Sequence, residues 1–399
     1  MSRSRPDKRK HRPATVLGRA GRNPHEHRGA VNPPVFHAST ILFRDTADLR
    51  TRGPNRLDDV VYGRFGTPTT FAFEEAMAAA EGGTRSVAVG SGKTAVAVAL
   101  SSFLAAGDHL LMVDSAYGPT RSMAHGWLAR FGVETTFYDP CIGAGIAALI
   151  RDNTRVVFLE SPGSLTFEVQ DVPGIAAAAH TRDCTVILDN TWASPLFFRP
   201  FEHGVDVSIQ AATKYVSGHS DVMLGAITTT EETHVVVRKT AQALGATVGP
   251  DDLYLGLRGL RTLDVRLRRH MESGLALARW LADRPEVERV LHPGLEGDPG
   301  HALWRRDFLG ASGLFGMILR PAPSAAYDAF LDGLELFGMG YSWGGFESLI
   351  VPSMLRGARD VAPWPAPERT FRIHAGLEDV ADLQDDLETG FAHLETRAG

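Results

Sequence analysis

Cysteine is almost absent from this chain of 399 residues, where Cys141 and Cys184 are the only two. A pair cannot build a disulfide framework, and neither residue sits in the spacing of a metal site. No apolar run reaches the ~20 residues needed to cross a bilayer. The basic opening "MSRSRPDKRKHRP" lacks the apolar segment that a secretory signal carries. Positive charge is also in deficit: 41 Lys and Arg against 47 Asp and Glu leave a net −6. That balance excludes a nucleic-acid-binding face spread over the whole molecule. The first twelve residues do hold six Lys or Arg against one acid, and such a run reads as a solvated end. The expectation is a cytoplasmic, reducing location, with neither nucleic acid nor membrane as a partner.

One further absence bears on function. "VGSGKTA" at 89–95 looks like the phosphate loop of a nucleotide-binding protein. That loop needs a glycine five positions before its Gly-Lys pair, and Val87 stands there instead. A nucleotide site is disfavoured, but a phosphate site is not. Gly90-Ser91-Gly92-Lys93-Thr94 follows a strand pattern and opens a helix, where free N–H groups and the helix dipole converge. The plain alternative is a tight strand-to-helix turn with no ligand.

What is present is an ordinary globular composition, 44% hydrophobic and 22% charged, in a chain long enough for two domains. From about residue 70, helical and strand patterns alternate. "TTFAFEEAMAAAEGG" and "GKTAVAVALSSFLAAG" read as helices, while "RSVAV", "HLLMVD", "VETTFYD", "TRVVFLE", "CTVILDN", "VDVSIQ" and "VMLGAITTT" read as strands. This predicts an α/β fold, a mostly parallel sheet flanked by helices, with chemistry at the carboxyl ends of its strands. Near residue 250 the order breaks. "LRGLRTLDVRLRRHMESGLALARWLADR" reads as one long helix or two joined ones, leading into a smaller C-terminal α/β domain. The proline-rich "VAPWPAPERT" reads as a surface loop.

Two strand ends carry unusual residues. Asp189 closes "TVILD", and a carboxylate inside a hydrophobic sheet is costly unless a cation or strong donor meets it. Lys214 follows "VDVSIQAAT", where water is scarce, and a desolvated lysine becomes a nucleophile towards carbonyls. Alone, Lys214 reads more simply as a surface lysine. Together with the phosphate turn, the acid and the lysine are what a pyridoxal phosphate pocket needs.

At these residues the chain resembles the Cys/Met-metabolism family of pyridoxal-phosphate-dependent enzymes, which share the type I aspartate-aminotransferase-like fold. The motifs "YGRFGTPTT", "DSAYGPT", "LDNTWASPLFF", "ATKYVSGHSDVMLG" and "YSWGGFESL" occur in the family's order. The likeness runs from "VNPPVFHAST" at 31–40 to "FRIHAGLED" at 371–379. The resemblance implies that Lys214 bonds the cofactor aldehyde and that Asp189 pairs with the pyridine nitrogen. Tyr117 would stack on the ring and help move protons. The amides of Gly92 and Lys93, with the Thr213 hydroxyl, would hold the phosphate. Arg372 would clamp the substrate α-carboxylate, and Ser342 and Trp343 of "YSW" would border the substrate. Tyr62 and Arg64 of "YGR" would reach a neighbouring subunit's phosphate, implying a homo-oligomer: a dimer sharing active sites, within a tetramer. The expected division is an N-terminal tail and interface arm (1–60), a large cofactor-binding domain (61–262) and a small C-terminal domain (263–399).

The resemblance also bears on the bond cleaved. "ESPGSLTFEVQDVP" at 160–173 and the large Trp343 are similar to β-acting members, whereas γ-acting ones usually carry Asn at the position of Gly163 and a smaller residue at 343. The expected reaction is carbon–sulfur α,β-elimination on a small sulfur amino acid, L-cystathionine first. The alternatives are a γ-acting relative, a nucleotide-binding protein, and a non-catalytic member, the last argued against by the presence of Lys214 and Asp189. Lys93 departs from the family, which usually has an apolar or small residue there. Its side chain is expected to add positive charge nearby or to point to solvent.

Overall fold

The computed structural model describes residues 11–398 except 55, 56, 58 and 362, so most of the basic N-terminal run lies outside the described residues. The large sheet contains β1 (Arg85–Val89), β2 (His109–Val113), β3 (Glu134–Tyr138), β4 (Thr154–Glu160), β5 (Thr185–Asp189), β6 (Val207–Gln210) and β7 (Gly225–Thr229). Their order is β1-β7-β6-β5-β4-β2-β3. The pairs from β6 through β5, β4 and β2 to β3 are parallel, while β7 runs antiparallel to both β6 and β1. The reversal at β7 follows from its link. Residues 211–224 form turns with no helix, and a parallel return needs a crossover, usually helical.

Local chemistry sets the helix ends near the site. The helix Pro68–Glu81 opens on a capping box between Thr67 and Thr70 and stops at Gly82, whose φ of +79° suits glycine. The helix Gly92–Phe103 is capped by Ser91, whose Oγ accepts the Thr94 N–H at 3.1 Å. Its inner side, Ala95, Val96, Val98, Ala99 and Leu100, is buried against the sheet.

A single helix, Pro250–Ala282, spans the stretch that the sequence left as one helix or two. Leu253, Leu257, Leu260, Leu263 and Leu267 enter the core of the large sheet, while Leu277, Ala278 and Leu281 enter a second core. That second core covers an antiparallel sheet of β8 (Val287–Leu291), β9 (Leu314–Leu319), β10 (Leu349–Pro352) and β11 (Thr370–His374), in the order β10-β11-β9-β8. Phe315, Phe330, Phe371 and Phe391 fill it.

The proline-rich link from β10 to β11 is only partly a surface loop. The Asp360 and Val361 amides donate to the Asp114 carboxylate at 2.9 and 3.0 Å, and Arg359 pairs with Glu168 at 2.6 Å. Trp364 packs on the core of the large sheet and donates to Thr370 Oγ1 at 2.9 Å. Buried ionic partners on the large sheet's loops hold the link down, and its composition alone did not reveal them. Among the described residues, no helix is long and apolar enough to cross a membrane.

Candidate active site

The carboxyl ends of β1, β4, β5 and β6 face one edge of the large sheet, and each delivers part of the site. After β6, the turn at 211–218 presents Lys214. Its Nζ donates to Ser342 Oγ at 2.6 Å and lies 5.5 Å from the centre of the Trp343 ring. Burial, helped by the nearby Arg372 charge, pushes the amine down to about 8, against the opposing pull of Asp189. A substantial share of it is therefore neutral, and nucleophilic, near physiological pH. Arg266 of the long helix anchors the turn from behind, donating to the carbonyls of Tyr215 at 2.9 Å and Gly259 at 2.8 Å.

The segment 342–344 crosses from the small sheet onto this turn. Ser342 holds a left-handed backbone, φ +74°, an uncommon state for a residue with a side chain. Its carbonyl accepts from Arg372 Nη2 at 3.0 Å, so the same serine touches both the lysine and the arginine. Gly344, φ +89°, lies so close that a Cβ there would stand 2.9 Å from Tyr215 N and 3.1 Å from Lys214 Cα. Glycine is required by backbone shape and by space. Arg372 projects from β11 and is largely buried, which pulls its affinity for the proton down.

Asp189 ends β5 and accepts from Thr191 N at 3.0 Å and Thr191 Oγ1 at 2.5 Å. Burial raises its pKa, while these bonds and Lys214 work the other way. Directly beside it in register, β4 ends in Glu160. Burial, with Asp189 adding repulsion, pushes the Glu160 carboxyl well above the usual range. Glu160 Oε2 accepts the Tyr117 N–H at 2.7 Å. The sequence reading passed over Glu160, although the strand-end rule that picked out Asp189 applies equally to it. The Tyr117 ring is half-exposed, and burial of its hydroxyl, with Glu160 nearby, raises its pKa.

At the end of β1, Gly92 packs so tightly that a Cβ would fall 2.5 Å from Ala211 Cβ and 2.9 Å from Ala211 Cα. The helix start is thus seated directly on the exit of β6, one turn from Lys214. The Thr213 hydroxyl is already engaged with Leu224, donating to its carbonyl at 3.1 Å and accepting from its N–H at 2.9 Å. It can donate to a phosphate only by releasing Leu224 O. Of the two expectations for the Lys93 side chain, nearby charge or solvent, its contacts fit the first. Its half-buried Nζ donates to the Pro119 carbonyl, and burial pushes it down to about 8. Tyr62 and Arg64 are not gathered with the others. Tyr62 is exposed, and Arg64 donates to the Gln242 carbonyl at 2.7 Å.

A neutralisable amine, a strand-end acid and an open helix N-terminus within one cleft suit a phosphorylated pyridine aldehyde. Gly92 gives the clearest fit, since its missing side chain lets the amide-bearing helix start sit beside the lysine turn. Fold and site together define a pyridoxal-phosphate-dependent enzyme with an α/β fold of the aminotransferase type. The model of the family described as Cys/Met metabolism PLP-dependent enzyme matches residues 14–392, and the chain belongs to that family. A Rhizobium johnstonii protein is 50% identical over 382 residues, 95% of each chain. The cystathionine beta-lyase MetC of Escherichia coli K12 is 43% identical, over 95% of this chain and 98% of that one. Among solved structures, metB from Corynebacterium glutamicum matches with a TM-score of 0.91 at 30% identity, covering 97% of this chain and 100% of that one.

Proposed function

We propose that this chain catalyses α,β-elimination of L-cystathionine, or of a related cysteine S-conjugate, yielding homocysteine, pyruvate and ammonia. The observation that carries the proposal is the Lys214 amine, lowered to about 8 and held by Ser342 in a cleft shared with Asp189 and Arg372. The naming of the Escherichia coli relative as a cystathionine beta-lyase supports the same reading.

In this reading the cofactor, when bound, supplies an electron sink for the pair released at the substrate Cα. Lys214 Nζ would hold the cofactor aldehyde and would be the group placed to accept the substrate Cα proton. Ser342 Oγ aims that amine. Asp189 would keep the proton on the ring nitrogen, Arg372 would hold the α-carboxylate, and Trp343 would wall the substrate side. Tyr117 would border the cofactor ring, and its Oη or Lys214 Nζ would supply a proton to the departing sulfur. The amides of Gly92 and Lys93, with Thr213, take the phosphate. Tyr62, exposed, and Arg64, bonded to the Gln242 carbonyl, would serve the neighbouring site. The assembly proposed is a dimer sharing two sites within a homotetramer in the cytoplasm, each chain divided at 61–262 and 263–399 behind the arm 1–60.

One contact favours β over γ cleavage. A Cβ on Gly163 would fall 2.5 Å from Ser115 Cβ, so the Asn usual in γ-acting relatives has no room here. The test is thiol release from L-cystathionine by the parent and by Lys214→Ala. The parent is expected to be yellow and active, the variant colourless and inactive. A variant that keeps both the colour and the activity contradicts the assignment of Lys214.

A further inference from the structure

The Lys93 side chain joins two parts of the site that are separate in sequence. Its backbone belongs to the first turn of the helix Gly92–Phe103, and its Nζ donates to the carbonyl of Pro119. Pro119 lies two residues beyond Tyr117, in the first turn of the short helix Gly118–Met123 that Tyr117 caps. The other end of the same turn is fixed by the Tyr117 N–H, which donates to Glu160 Oε2 at 2.7 Å. The stretch 117–119 is thus held at one end by a partly buried acid on β4 and at the other by an ammonium on the phosphate turn. Between these ties the Tyr117 ring stands half-exposed. A Gly118 at the centre adds no stiffness of its own, because a Cβ there would meet nothing within 4 Å.

We infer that Lys93 is a positioning residue: its ammonium ties the phosphate turn to the Tyr117 turn and fixes the tyrosine ring over the cofactor plane. A direct phosphate contact is the competing role for a lysine at this position. Nζ is committed to Pro119 O, and the amine is half-buried, its proton affinity lowered by burial. Both features suit a local tie better than a charge held out towards a dianion. The inference rests on the proposed stacking of Tyr117 on pyridoxal phosphate.

The full-length chain, stripped of cofactor, is titrated with pyridoxal 5'-phosphate and separately with pyridoxal, which lacks the phosphate. The parent, Lys93→Met, Tyr117→Ala, the double variant and Lys93→Arg are compared by cofactor absorbance and induced circular dichroism. Lys93→Met is expected to weaken both ligands equally, by about fivefold, the net size of one ordinary intramolecular hydrogen bond. It is expected to cost nothing further in the Tyr117→Ala background, and Lys93→Arg, which restores a donor, is expected to recover part of the loss. Weakening of pyridoxal 5'-phosphate alone overturns the inference in favour of a phosphate contact. The same loss in the Tyr117→Ala background, or no loss in any background, overturns it as well. If Tyr117→Ala leaves both affinities and the dichroism unchanged, the stacking reading itself fails, which is a separate outcome.

Discussion

At the scale of single residues, the site rests on one amine made available by its surroundings. Lys214 sits at about 8 rather than the ordinary 10.5 because burial and Arg372 disfavour its charged form. Attack on an aldehyde requires the neutral amine, so the rate should rise with pH until the amine is deprotonated. Pyridoxal added to cofactor-stripped protein, then fixed by borohydride, should label the Lys214 peptide with a midpoint near pH 8 and level off above it. A rate still climbing towards pH 10.5 at that peptide would contradict the depressed value. Lys93 also lies near 8, so the label must be read peptide by peptide. Lys214 and Asp189 were legible in the sequence only in combination with the phosphate turn, because a lone lysine after a strand reads more simply as a surface residue. The roles of Ser342, Trp343 and Arg372 came only from family resemblance. Ser342 Oγ reaches Lys214 Nζ from 128 positions away, a closure that no local pattern records. Glu160, which closes β4 as Asp189 closes β5, was open to the same strand-end rule, but the repulsion from Asp189 that adds to its burial arises only through strand pairing.

At the scale of elements, backbone contacts at glycines decide how the loops fit. Gly163 lies against Ser115, on the segment that leads to Tyr117, with Ser164 N donating to Ser115 O at 2.8 Å. Gly163→Ala should therefore destabilise the fold by about 1–3 kcal/mol through overpacking. Adding Ser115→Gly should recover much of that loss, since the atoms in the way are Ser115 Oγ and Cβ. Chemical denaturation of the two single variants and the double variant reads this coupling, and strict additivity would remove the contact from the account. The alternation of strands and helices was readable, and so was the helix stop at Gly82. The direction of β7 was not, because it depends on the absence of a helix in the link 211–224, and strand composition carries no sign of direction. The docking of the β10–β11 link was hidden for the same reason, since Asp114 and Glu168 are its partners only in three dimensions.

At the scale of the whole molecule, two sheets with separate cores are joined by the helix Pro250–Ala282, and the cleft between them holds residues from both: Lys214 and Asp189 from one, Ser342 and Arg372 from the other. Tyr62 is exposed and Arg64 donates to the Gln242 carbonyl, so neither bonds to the residues of that cleft, which fits service to a neighbouring chain. Arg64→Ala and Lys214→Ala chains, each inactive alone, should regain activity when mixed under conditions that exchange subunits, because some mixed dimers then contain one intact site. No recovery after verified exchange would argue for self-contained sites. Which bond is broken is read from the oxo acid that the purified holoenzyme forms from L-cystathionine. The account predicts pyruvate, with homocysteine in equal amount; 2-oxobutyrate, with cysteine as the accompanying thiol, would contradict it.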